Sequence, residues 1–252
     1  MDAFPRTCID RYPAEEDAVR AAEIAIEEDS RNLPEGAEGL SPNELALVTG
    51  KLWQNGRTLR VAFLDGHDEL RARVAEIAPQ WSEYANITFD FGNHETPEIR
   101  ISFERAGSWS YLGTDALTLD PKEPTMNYGW LRPDSTEAEI QRVVLHEFGH
   151  ALACVHEHQN PEGGIPWDVD KVYAFYEGEP NHWPRAQTYR NLLQRYDAST
   201  TVASEFDPES IMLYPIPQEL TIGDFEVGWN TTLSAGDREM IARVYPKEPR
   251  SS

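Results

Sequence analysis

Three histidines at fixed spacing, His146, His150 and His156, constrain this chain more than any other feature. Residues four apart on an α-helix lie on one face, one turn apart, so His146 and His150 can turn both imidazoles toward one point. There they can hold one ion at about 2.0–2.1 Å, the usual Zn–N distance. His156 stands six residues beyond His150. In an unbroken helix it would lie about 9 Å along the axis and off that face. A third ligand at His156 therefore demands that the helix end just after His150 and that the chain turn back. Glu147 follows the first histidine directly, so its carboxylate can reach the open side of a bound ion, where a general base takes a proton from water. From this composition the pattern His-Glu-x-x-His arises by chance about 0.02 times per chain, and with the third histidine roughly 0.0006 times.

The rest of the chain can support such a site. The 252 residues are 40% hydrophobic, with 7 Trp, 9 Phe and 10 Tyr, enough for a sizeable core. No apolar run is long enough to span a membrane. The formal net charge of -22 disfavours nucleic acid and anionic membrane surfaces, both of which need Lys and Arg to neutralise phosphates; its plainest consequence is solubility. Two cysteines, Cys8 and Cys154, make no disulfide framework. Met1 to Asp10 has neither the basic nor the apolar region of a signal peptide. Residence in the cytoplasm, non-classical secretion, or removal of a leader all fit that reading.

Hydrophobic periodicity divides the chain. Residues 15–29 read as a helix and Asn32 to Pro42 as a linker, so residues 1–56 form an N-terminal extension, either a pro-segment or a structural one. Leu59–Phe63 reads as a strand ending at Asp65-Gly66. Leu70, Val74, Ile77, Trp81 and Tyr84 recur at helical spacing. Ile87–Phe91 and Ile99–Phe103 alternate strictly and read as half-buried strands. Tyr111–Leu119 and Met126–Leu131 read as two more short strands. A helix starting near Ser135-Thr136 carries Ile140, Val143, Val144 and Phe148 on its apolar side. Helical stretches follow near 168–177 and 184–195. A capping-box-like start at Ser234 to Asp237 opens a last helix with Met240, Ile241 and Val244, and residues 248–252 form a tail.

The segment His146-Glu147-x-x-His150-x-x-Ala153-x-x-His156 resembles the long zinc signature of the metzincin metallopeptidases, with Ala153 where the family has Gly. An Ala there can adopt the left-handed conformation at a cost of about 1–2 kcal/mol. Ser210-Ile211-Met212-Leu213-Tyr214 is similar to the Met-turn of the astacins, and Glu157 after the third histidine also matches them. The resemblance covers roughly residues 57–247. It implies an α+β fold: a twisted mixed five-stranded sheet with two long helices, over a smaller C-terminal subdomain containing one helix. It also implies one catalytic zinc ion (Zn2+) on His146, His150 and His156, with Met212 beneath it. By the same resemblance Tyr214 is an extra ligand or a hydroxyl that stabilises the developing oxyanion. The implied activity is that of a zinc metalloendopeptidase, with Glu147 as general base and a protein or peptide substrate added as a strand along an edge, here mapped to Tyr111–Leu119. A monomer is expected, and residues after Met212, about Pro215–Leu220, would line part of the specificity pocket. A zinc hydrolase of non-peptide amides, a zinc-holding binding module and a metal-free acidic protein are the competing readings.

The remaining candidates carry less. His158 reads as a surface residue, His67, His94 and His182 as ordinary, Cys154 as a small buried filler, and Glu157 as structural. Asp115, Asp120, Asp168 and Asp170 have no EF-hand spacing, and no calcium site is expected. Cys8, in Pro5-Arg6-Thr7-Cys8, is read first as a structural thiol. Its lesser alternative is the latency cysteine that occupies the fourth zinc position in matrix metallopeptidases.

Overall fold

Five short strands make one sheet in this computed structural model, which describes residues 8, 11–42, 45, 49–161, 163–179, 181–195 and 205–248. Pro5, Arg6 and Thr7, and all of the tail but residue 248, lie outside those residues. The strands are β1 (Thr58–Phe63), β2 (Thr88–Phe91), β3 (Ile99–Ser102), β4 (Ser108–Ser110) and β5 (Met126–Tyr128), in the order β2-β1-β3-β5-β4. All pairs are parallel except β4 on β5. The mixed sheet with helices is the expected α+β class.

Helix α1 (Ala18–Glu28) precedes the sheet, and α2 (Asp68–Ile77) follows β1. Pro79 tightens the end of α2 into a 3-10 segment, Ala78–Glu83, which buries Trp81. Helix α3 (Glu137–Ala151) starts at the cap Thr136, whose side chain accepts from the Glu139 amide. It packs on α2 and its extension, with the predicted Ile140, Val143, Val144 and Phe148 all in the core. Below lie α4 (Val169–Glu177), α5 (Arg185–Thr188), which runs into a π-helical turn at Tyr189–Leu193, and α6 (Ala235–Val244). The Ser234–Asp237 capping box opens α6 as its sequence predicts.

Two strand expectations are corrected. Ile99–Ser102 is buried on both faces, not one, because β3 sits in the middle of the sheet. The Arg100 guanidinium is accommodated there by donating to the carbonyls of Glu123 at 2.7 Å, Pro97 at 3.0 Å and Asp120 at 3.3 Å. The edge strand is β4, not Tyr111–Leu119. Gly113–Thr118 forms a 3-10 turn instead, bent by contacts from far upstream. The Thr114 amide donates to Lys51 O at 3.0 Å, and Lys51 Nζ pairs with the buried Asp115 carboxylate at 3.0 Å. Gly113 has φ +46, and a Cβ on it would lie 1.9 Å from Lys51 O.

The N-terminal residues pack closely on the sheet and α3. Helix α1 buries Ala21, Ala22 and Ala25 and packs on the 113–118 turn. Asn32, placed in a linker by its neighbours, is 1% exposed. Its Nδ2 donates to Ala25 O at 2.7 Å and Leu52 O at 2.8 Å, and its Oδ1 accepts from Leu52 N at 2.7 Å. Trp53 is fully buried and donates its Nε1–H to Ala151 O, at the end of α3, at 2.7 Å.

Candidate metal centre and active site

Helix geometry and one left-handed residue build the histidine cluster. His146 and His150 project from the last turns of α3. The helix ends at Ala151 and Ala153 takes φ 70, so the chain reverses. The Ala153 amide donates to His150 O at 2.8 Å and the Cys154 amide to Gly149 O at 2.9 Å, closing the turn. His156 is thereby brought back to face the other two rings. This is the helix end that the third histidine demands, with the left-handed Ala153 that the missing glycine implies.

The three rings are arranged as ligands. His146 Nδ1 bonds to Ile211 O at 2.8 Å and His150 Nδ1 to Cys154 O at 2.8 Å. A carbonyl only accepts, so both Nδ1 atoms carry the proton and both Nε2 atoms present lone pairs. His146 Nε2 and His150 Nε2 lie 3.2 and 3.1 Å from His156 Nε2. Tetrahedral bonds of about 2.0–2.1 Å place neighbouring nitrogens about 3.3–3.4 Å apart. Burial first, then the neighbouring His150 and His156 rings, holds the His146 imidazole well below the usual histidine range, in the neutral form that binds metal. All three are buried. Buried nitrogen lone pairs aimed at one another are costly without a cation, and a zinc ion fits the donor set.

Cys8 joins the cluster. Its Sγ and one nitrogen from each of the three histidines lie within 4.8 Å of one another. The thiol also bonds to Glu147 Oε2 at 3.2 Å, and the Cys8 carbonyl accepts from the Tyr214 hydroxyl at 2.8 Å. Beside it, residue 11 bridges Tyr111 in parallel, just past β4, and the Arg11 guanidinium stands 4.9 Å over Trp109. The described N-terminal residues thus stand at the histidine cluster, at Cys8, and beside the sheet edge, at Arg11. The sequence favours a structural thiol at Cys8, since a Pro, an Arg and a Cys carry little signal; only the fold brings residue 8 to residues 146–156.

The Met-turn lies beneath. Met212 is buried against Gly149, where a Cβ would stand 2.3 Å from Met212 Sδ. Asp237, in the first turn of α6, holds the turn: its carboxylate accepts from Ser210 Oγ at 2.7 Å, Ile211 N at 2.8 Å and Ser234 N at 2.9 Å. That support is invisible locally, because the capping box explains Asp237 already. Glu157 is placed structurally, accepting from Asp207 N at 3.0 Å and Asn160 Nδ2 at 2.9 Å. Burial pushes its carboxyl up to about 7.

His158 departs from expectation. It is 4% exposed, with its ring centroid 5.0 Å from His156 and 4.6 Å from Tyr214 and its Nε2 bonded to Asn191 O at 2.7 Å. The 3-10 turn Glu157–Gln159 turns it inward. Cys154 is the buried filler expected. Of Pro215–Leu220, Ile216 and Leu220 are buried among other core residues.

No family model matches the chain. Over 88 residues it is 33% identical to the zinc metalloproteinase nas-27 of Caenorhabditis elegans, a stretch that covers 35% of this chain and 18% of that protein. The chain therefore spans under a fifth of that curated relative. It superposes on a structure of myroilysin with a TM-score of 0.78 and 45% identity, covering 81% of this chain and 99% of that one. The chain is a metzincin of the astacin type. Likeness to high choriolytic enzyme 1, a hatching enzyme zinc-protease from Oryzias latipes, has a TM-score of 0.54 at 15% identity over 77% of this chain and 94% of that one, and speaks to the fold alone. Among the described residues of this metzincin, no helix is long and apolar enough to cross a membrane.

Proposed function

We propose that this metzincin is a zinc-dependent endopeptidase, with His146, His150 and His156 holding the metal and Glu147 as general base. The observation that carries the reading is the convergence of three buried Nε2 atoms, two of them oriented by carbonyls on Nδ1, directly beside a buried carboxylate. Zinc bound there supplies Lewis-acid activation of water and of the scissile carbonyl. Glu147 takes the proton from the attacking water and delivers it to the leaving amine. The Tyr214 hydroxyl, once parted from Cys8 O, donates to the oxyanion. The edge strand β4 would align an extended peptide by backbone pairing. In the Cys8→Ala chain, Glu147→Gln should lower kcat/KM at least a hundredfold while zinc content stays at one per chain. Residual activity near that of Cys8→Ala would overturn the role of Glu147.

A second reading concerns control. Cys8 Sγ stands among the metal-ligating atoms, bonds to the base, and its carbonyl engages Tyr214. On this reading Cys8 would take the fourth ligand position on a zinc held by the three histidines, its thiol and carbonyl would engage Glu147 and Tyr214, and the full chain would be latent. Cys8→Ala in the full chain should raise peptide hydrolysis at least tenfold, and equal rates for the two chains would refute latency. The catalytic unit on this reading begins before residue 57, since α1, Asn32 and Trp53 are packed into it.

A further inference from the structure

A cavity of about 270 Å³ opens on the far side of His158, walled by Ile165, Trp167, Tyr173, Tyr189, Leu193 and Arg195. Three aromatic faces and two aliphatic ones make it apolar. Its size suits one large side chain and falls below the about 300–1,000 Å³ of pockets for whole small ligands. Large apolar residues remain exposed at its rim: Val169 is 45% exposed and Tyr189 50%.

Its position ties it to the candidate active site. The inner wall is the His158 ring, 5.0 Å from the His156 ring and 4.6 Å from that of Tyr214. Trp167 and Leu193 also border the apolar cluster that contains Cys8 and Tyr214. An extended peptide advances about 3.3 Å per residue, so a side chain entering a cavity behind the His158 ring belongs to a residue within a few positions of the bond under attack. Arg195 is the one cation among the lining residues of a chain with net charge -22. Among the described residues no carboxylate pairs with it; its guanidinium lies 3.4 Å from Pro161 O.

We propose that this cavity is a specificity pocket for a bulky aromatic or branched aliphatic side chain of the peptide substrate, and that Arg195 at its mouth selects an acidic neighbour of that residue. The pocket rests on the endopeptidase reading for its substrate. It differs from the segment after Met212 that the sequence suggests for this role.

The test uses the full Cys8→Ala chain and paired peptides with Phe or Ala at each position near the cleavage site. Leu193→Trp, which fills the cavity, should lower kcat/KM for the Phe peptide at least tenfold relative to the Ala peptide at one position. Arg195→Glu should reverse a preference for Glu over Lys beside that position, and it serves alone if Leu193→Trp does not fold. Binding of the same peptides to the zinc-loaded Cys8→Ala/Glu147→Gln chain, followed by fluorescence anisotropy, should repeat the pattern in Kd. Cleavage with a profile indifferent to both substitutions would overturn the pocket and leave the endopeptidase reading standing. Binding that follows the pattern with no cleavage by any chain carrying Glu147 would do the reverse. Binding and cleavage both absent would overturn both.

Discussion

Replacing Asn32 by Ala tests whether the N-terminal residues belong to the catalytic fold. The side chain makes three hydrogen bonds, to Ala25 O, Leu52 O and Leu52 N. Ala25 O keeps a second donor, the Asp29 amide at 3.0 Å, so truncation strands chiefly the two Leu52 groups. Each stranded buried group costs about 1–3 kcal/mol. Leu52 is half-buried, which lets water offset part of that cost, and the expected loss is about 2–4 kcal/mol. Against a typical total of about 5–15 kcal/mol that is a large share. Urea denaturation should show a lower midpoint with an unchanged slope. Asn32→Asp should cost at least as much, since it keeps the acceptor for Leu52 N but turns a second acceptor on two carbonyls. A loss below about 0.5 kcal/mol for both variants would refute the reasoning and return residues 1–56 to the status of an appendage.

Gly149→Ala would gain about 1 kcal/mol from helix propensity if its surroundings were open; here the new Cβ falls 2.3 Å from Met212 Sδ, and overpacking of about 1–3 kcal/mol should win. Thermal unfolding of the single variants and of the double variant with Met212→Ala checks this: the double should lose less than the sum, and a stabilised Gly149→Ala would contradict the geometry. Burial opposes the charge of Glu98, but hydrogen bonds from the Arg60 side chain and amide, with the Arg60 charge, outweigh it and hold the carboxyl below the usual carboxylate range. A depressed folded-state pKa stabilises above the unfolded-state value and loses that contribution as pH falls through the folded one. Glu98→Gln should therefore be less stable than wild type by about 1–3 kcal/mol at pH 7, with the gap closing in acid; a gap independent of pH in urea titrations would sink the assignment.

The histidine spacing, the helix that carries it and the end of that helix were legible because each follows from local geometry. Residues i and i+4 share a face whatever packs around them, and a ligand at i+10 cannot be reached without a turn at Ala153. Periodicity likewise placed β1, β2, β5 and the core side of α3. Where it failed, a distant segment decided. Lys51 bent the expected edge strand into a turn at Gly113–Thr118. A central place in the sheet buried both faces of β3. The carbonyl of Asn191, 33 residues on, holds His158 inward against Tyr214. Cys8 shows the divide most plainly. Its thiol meets Glu147 and the three histidines across 138 intervening residues, and no local pattern encodes a contact whose energy comes from packing elsewhere. The sequence by itself pointed to the kind of chemistry, since two histidines one helical turn apart, a carboxylate beside the first and a third histidine beyond a turn are a donor set suited to zinc next to a base. The tertiary structure alone decided that Cys8 stands at the histidine cluster and that a cavity opens behind His158, because loop closure over long separations is settled by the summed burial of the whole fold.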